Sequence, residues 1–263
     1  APPVINTSTP PTNNYLADHV YDQDSDDDDL YGSVKEETDD LYEKAIEEGK
    51  TDIEAGVYSK KVAEGMNKEL ASKYAKYFAE GYNAYEDTRV AEIYATLSLE
   101  GKSEKYKSDY VISYAFKKGK GASDLESCIY ASKIAHGYDK VSADRYVKFF
   151  MDGLKKYKGL DEKDSNRLAD LYASKMLEKG SSESKSDRYL DGYLKANRKG
   201  FSELKTRIYA DKISGGLDEE AAEIYANAFV IAMQRYNNDK HKAHIVATLA
   251  IKGKESEKNK EFY

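Results

Sequence analysis

Residues 124–137 read DLESCIYASKIAHG and residues 202–216 read SELKTRIYADKISGG. Aligned on Tyr130 and Tyr209, both carry Ile just before the Tyr, Ala just after it, Ile four positions on and Gly seven positions on. The frame recurs at Tyr42, Tyr58, Tyr74, Tyr94, Tyr114, Tyr146, Tyr172, Tyr193 and Tyr225, with Val246 in a twelfth slot. Gly stands at the seventh place at Gly49, Gly65, Gly81, Gly101, Gly121, Gly137, Gly153, Gly200, Gly216 and Gly253, so one offset takes ten of the chain's 17 glycines. Tyr172 finds Gly180 at eight residues and Tyr225 reaches Ala232. Such internal repetition sets the architecture before any single motif does.

Each copy reads as one helix. The anchor and an apolar residue four places later (Val62, Phe78, Phe150, Met176 and Phe229 among them) share a face at the helical period. Gly at the seventh place suits the position after a helix end, where the backbone turns left-handed. Ser103, Ser123, Ser142, Ser202 and Asp218 are expected N-caps. All four Pro fall within the first eleven residues and strand signals are absent, so the expected fold is all-α, about twelve short antiparallel helices. Spacings between anchors group them in fours headed by Tyr42, Tyr114 and Tyr193. This gives three tandem four-helix blocks at 34–108, 109–186 and 187–263. Val57, Ile129, Ile208, Ile93, Leu171 and Ile245, each just before its anchor, are expected to bury. Residues 1–33 hold every Pro and an Asp run at 24–29 broken by Ser25, and read as a disordered acidic leader.

A net charge of −7 and a sequence pI near 5.4 argue against nucleic-acid binding, and the Lys clusters at 102–120 and 155–158 read as solvated helix faces. No apolar run is long enough to span a bilayer. The single Cys128 rules out an internal disulfide framework and reads as a small core residue. The sequence starts at Ala1 in a Pro-, Thr- and Asn-rich stretch, as a mature secreted chain would after signal-peptide removal. Within that stretch Asn6 heads an N-glycosylation sequon, and Tyr31 follows an acidic run suited to sulfation.

Catalytic chemistry is not indicated. His241 and His244 lie three apart but have no third ligand at metal spacing, and His136 stands where a cation favours a helix C-terminus. No nucleophile elbow occurs, the glycines at 119–121 lack phosphate-loop spacing, and the acids of 161–170 lack the glycine and closing Glu of a calcium loop. The expectation is therefore no catalytic, cofactor or metal site. Tyrosines outside the frame, such as Tyr77, Tyr82, Tyr85, Tyr106, Tyr110, Tyr138, Tyr157, Tyr189 and Tyr236, offer contact area to a protein partner.

The stretches 124–137, 202–216 and 218–232 (DEEAAEIYANAFVIA) resemble the Tyr-containing repeats of the bicycle family, salivary effectors of gall-forming aphids. That family's Cys residues flanking Tyr are represented here by Cys128 alone. The resemblance implies a secreted protein delivered into host tissue without enzymatic activity. The reading is a secreted, non-catalytic interaction module that binds a protein partner through a polar, Tyr-rich helical surface. An extracellular matrix protein assembled through Tyr is the alternative, and a small-ligand carrier or enzyme with a pocket between blocks is the third.

Overall fold

The computed structural model describes the backbone of residues 31–261 and the side chains of 38–253. These residues form twelve helices: α1 (Tyr31–Glu47), α2 (Asp52–Ala63), α3 (Lys68–Tyr85), α4 (Thr88–Leu99), α5 (Glu104–Gly119), α6 (Asp124–Ala135), α7 (Lys140–Lys156), α8 (Glu162–Leu177), α9 (Glu183–Arg198), α10 (Glu203–Ser214), α11 (Glu219–Arg235) and α12 (Lys240–Glu261). Among the described residues no strand forms, a single bridge between Lys158 and Leu160 aside. The fold is all-α. The leader expected at 1–33, including Asn6, lies outside the described residues save its last three; Tyr31 opens α1.

Helix starts follow from side-chain caps. Thr51 and Ser123 form reciprocal capping boxes with Glu54 and Glu126, while Asn67, Asp87, Ser103, Asp161, Ser182 and Asp218 each accept a backbone N–H of the first turn. Two expected caps behave differently. Asp139, not Ser142, accepts the Ser142 N–H at 3.0 Å, because it stands one residue ahead of the helix. Ser202 occupies the cap position without a side-chain bond to the first turn.

Measured back from the anchor, the cap lies seven residues away before Tyr58, Tyr74, Tyr94, Tyr130, Tyr209 and Tyr225, and eleven away before Tyr114, Tyr172 and Tyr193. The difference is about one turn, so longer helices gain length without rotating the anchor off its face. The spacing from Tyr94 to Tyr114 exceeds that from Tyr42 to Tyr58 by such a turn. Positions 108 and 186 lie inside α5 and α9, each of which starts one turn earlier than a seven-residue cap predicts.

The repeat glycines divide into two kinds. Gly49, Gly65, Gly101, Gly121, Gly137, Gly200 and Gly216 have φ between +69° and +99° and close their helices as expected. Gly81, Gly153 and Gly253 instead lie inside α3, α7 and α12, since these helices run past the seventh position. Gly81 and Gly153 serve close packing. A Cβ on Gly153 would come within 2.8 Å of the Ala169 Cα, and one on Gly81 within 3.0 Å of the Tyr94 Cβ. Small residues complete these approaches: Ala71, Ala75, Ala91, Ala95, Ala131, Ala169, Ala173, Ala210 and Ala226 are fully buried.

The chain falls into two compact units that divide between Ala143 and Asp144, within α7. In the first, α1 to α5 each pack on the next helix, as does α5 on α6; in the second, α8 to α12 do the same. The α4–α5 and α8–α9 pairs are the most sparsely packed of these, so they form seams between otherwise tight hairpins.

Glycine substitutions separate the packing role from plain helix propensity. Gly153→Ala is expected to cost about 1–3 kcal/mol through overpacking. Gly56→Ala, at an exposed site in α2 where a Cβ meets nothing within 4 Å, is expected to add about 0.5–1 kcal/mol. Thermal unfolding followed at 222 nm checks both signs.

Candidate functional site: phenol–carboxylate clasps at the helix seams

Nine of the eleven anchor tyrosines are buried, and Tyr42 and Tyr94 are half-buried. Burying a phenol requires a partner for its hydroxyl. The chain supplies one ten residues later. Tyr42, Tyr94, Tyr114 and Tyr193 donate to Asp52 (3.5 Å), Glu104 (3.3 Å), Asp124 (2.5 Å) and Glu203 (2.9 Å). Each acceptor is the first residue of the next helix. There its carboxylate also meets the positive end of the helix dipole. One interaction therefore fixes the anchor, the loop and the start of the following helix. Tyr146 and Tyr225 solve the same problem across larger separations, with Asp170 and the His244 Nδ1.

Many rings are covered by cations. Lys61, Lys117 and Lys212, each three residues after one anchor, lie over the next anchor, Tyr74, Tyr130 and Tyr225, at 5.2, 4.5 and 4.3 Å. The lysines read as solvated face residues are thus partly committed to rings.

The two seams carry the most elaborate version. At the first, the Arg89 guanidinium of α4 donates to Asp124 of α6 at 2.9 and 3.2 Å, while Tyr114 of α5 bonds the same carboxylate and Lys118 approaches it at 3.3 Å. At the second, Arg167 of α8 donates to Glu203 of α10 at 3.0 Å and to the hydroxyl of Tyr193 of α9. Each cluster joins three helices, and both Arg stand five residues before their own anchor. Each seam also places one lysine on a Tyr face. Lys107 of α5 is buried over Tyr94 at 4.4 Å; Lys175 of α8 lies over Tyr189 at 4.3 Å. Burial works to raise the Asp124 and Glu203 carboxyls. The hydrogen bonds and positive charge of Arg89 with Tyr114, and of Arg207 and Arg167 with Tyr193, outweigh it and hold both below the usual range.

The other expected residues are dispersed. Of the non-anchor tyrosines, Tyr110 and Tyr189 are buried, Tyr77, Tyr82, Tyr85, Tyr106 and Tyr157 are half-buried, and Tyr138 and Tyr236 are exposed. The surface is correspondingly poorer in Tyr than the composition of 24 residues implies, because helix edges are folded against neighbours. Cys128 is buried beside Tyr110, and burial pushes its thiol up. His136 bonds the Ser132 carbonyl oxygen at 2.7 Å and packs edge-on to Tyr106, while His244 is held by Tyr225. No group of three or more metal-ligating side chains occurs among the described residues, and no described helix is long and apolar enough to cross a membrane. A shallow cleft of about 460 Å³ borders α7, α8 and α9. Its walls mix Lys148, Asp152 and Glu183 with Phe149 and Met176, and its Lys156 is paired with Asp187. Comparison with family models, curated proteins and solved structures returns no match to this chain.

Two tests follow from this chemistry. Arg89→Met and Arg167→Met are each expected to lower stability by about 1 kcal/mol, the modest figure reflecting partly exposed pairs. Urea unfolding measures the change. Burial raises the phenols of Tyr110, Tyr114 and Tyr189 well above 10, and that of Tyr74 to about 12. Folded chains keep these protons where unfolded chains lose them, so this contribution is complete below about pH 10 and disappears as pH climbs toward the raised values. Phenolate absorbance at 295 nm from these buried tyrosines is expected to appear together with loss of helix signal.

Proposed function

We propose that this chain is a secreted, non-catalytic protein-interaction module, a host-directed effector of helical-repeat type. Its conspicuous polar chemistry, the phenols with their carboxylates and cations, is spent on joining helices. The observation that carries the reading is an exposed apolar group in the first unit. Ile112 and Phe116 lie one turn apart on α5, and Val141 projects from the start of α7; all three are exposed. Lys120 and Lys140 sit over the Phe116 ring at 4.2 and 5.8 Å, so a basic rim borders that ring. Tyr138, exposed in the loop before α7, extends the group with an amphipathic ring.

Exposed apolar residues bordered by polar groups mark protein contact surfaces. The basic rim favours a partner whose own apolar patch is bordered by Asp and Glu, while the whole chain's charge of −7 disfavours general nucleic-acid association. The resemblance to the bicycle repeats supports delivery outside the producing cell.

Proximity labelling from the chain, expressed in candidate host tissue, tests this reading. Ile112→Asp with Phe116→Asp is expected to leave thermal stability within about 0.5 kcal/mol, as exposed sites do, and to remove the specific partner. Retention of every partner by the double variant would refute this surface.

A further inference from the structure

We propose that copies of this chain join head to tail, the α12 face of one docking on the α1–α2 face of the next, by repeating the seam already built twice inside the molecule. The inference is independent of the proposed function and uses a different surface.

The α4 helix docks on α5 and α6 through Arg89, Val90, Ile93 and Leu97, which stand five, four and one residues before its anchor and three after it. The corresponding residues of α8 are Arg167, Leu168, Leu171 and Lys175. In α12 they are His241, Lys242, Ile245 and Leu249. Ile93 and Leu97 are 7% and 6% exposed in their seam, whereas Ile245 and Leu249 are 48% and 61% exposed. So α12 carries a seam face on which none of the described residues docks. The expectation of burial just before the anchor holds for Ile93, is half met at Val57, Ile129, Leu171 and Ile208, and fails at Ile245.

The receiving face is equally recognisable. In α5–α6 it consists of Val111, Tyr114 and Asp124, and in α9–α10 of Leu190, Tyr193 and Glu203. In α1–α2 the same places hold Asp39, Tyr42 and Asp52, and the Tyr42 hydroxyl already points to Asp52 at 3.5 Å. Among the described residues no Arg completes this third clasp, and the sequence has neither Lys nor Arg before Lys35. Asp39 and Asp52 are exposed.

The departures at the two faces compensate each other. Where an internal seam sets Val90 and Val111 within one apolar cluster, or Leu168 and Leu190, the outer faces offer Lys242 and Asp39. Where Arg89 or Arg167 meets a first-turn acid, they offer His241 and Asp52. Ile245 and Leu249 supply the apolar centre, flanked by the cations Lys240 and Lys242. The α1–α2 face sets exposed Asp39, one turn before half-buried Tyr42, together with Asp52 at the Tyr42 hydroxyl. Basic-apolar meets acidic-aromatic, the complementarity that fixes register in a contact between unlike faces. Because the faces differ, the contact is heterologous and each added copy exposes a fresh one.

Sedimentation velocity on the full chain at low salt, from micromolar to millimolar, tests the proposal. The expected result is open-ended association that weakens with salt. Ile245→Asp with Leu249→Asp should abolish it, as should Asp39→Lys with Asp52→Lys. Mixed together, each variant keeps one intact face, so the two should form a 1:1 complex that grows no further. Combining Lys242→Asp with Asp39→Lys in one chain should restore association. A strictly monomeric parent, a mixture that fails to pair, or a dimer that survives Asp39→Lys with Asp52→Lys would each overturn the proposal. Circular dichroism of each variant checks folding: every substituted side chain is exposed, and Asp52→Lys also removes the Tyr42 acceptor.

Discussion

The hydrogen bond from a buried phenol to the acid that opens the following helix is the constraint on which this architecture rests. A tyrosine ring large enough to fill the gap between two short helices brings a hydroxyl into the core, where leaving it unmatched would cost about 1–3 kcal/mol. Placing its acceptor ten residues on turns that liability into a link between successive helices. The acceptor gains as well, because its charge lies at the positive end of a helix and, at the seams, beside an arginine. Short helices of this kind would be marginal alone. At the α1–α2, α4–α5, α5–α6 and α9–α10 junctions such a link ties one helix to the next.

The seams show how the same link becomes a joint between larger pieces. Where α4 meets α5 and α8 meets α9, the backbones are less intimately packed, and a guanidinium reaches across three helices to hold the carboxylate that the phenol already grips. Lysine placement differs between the joints. Lys107 enters the first from α5, while Lys175 enters the second from α8, with small Ser186 at the place of Lys107. A long cation therefore arrives from one side or the other, never from both at equivalent positions, which keeps volume and charge in balance. Among the described buried side chains, the hydroxyls of Tyr110 and Tyr209 have no hydrogen-bond partner. Tyr209 has its acid ten residues on, Glu219, but Lys195 draws that carboxylate away at 2.6 Å.

Much of this was legible from residue spacing. The anchor frame predicts helix number, direction of the buried face and most of the closing glycines. What the frame does not reveal is length: Gly81 and Gly153 fill the slot of a terminator yet sit within helices, because the next residues continue the apolar stripe and a neighbouring alanine needs the room. The clasps leave a readable trace, an acid ten residues after Tyr42, Tyr94, Tyr114, Tyr193 and Tyr209, but among 48 acidic residues that offset is visible only once the loops are known to have a fixed length. The arginines are harder still. Their partners lie 35 and 36 residues away, a separation no local pattern encodes. Surface character was the least legible property, since a half-turn of helix rotation decides whether a Tyr such as Tyr110 meets core or water.

The lone cysteine gives the first joint a built-in reporter. Cys128 lies buried in the cluster of Val90, Ile93, Leu97 and Tyr114, so alkylation of its sulfur is favoured when that cluster opens. With one thiol in the chain, the modification rate of the native protein counts those excursions directly, without any engineered label.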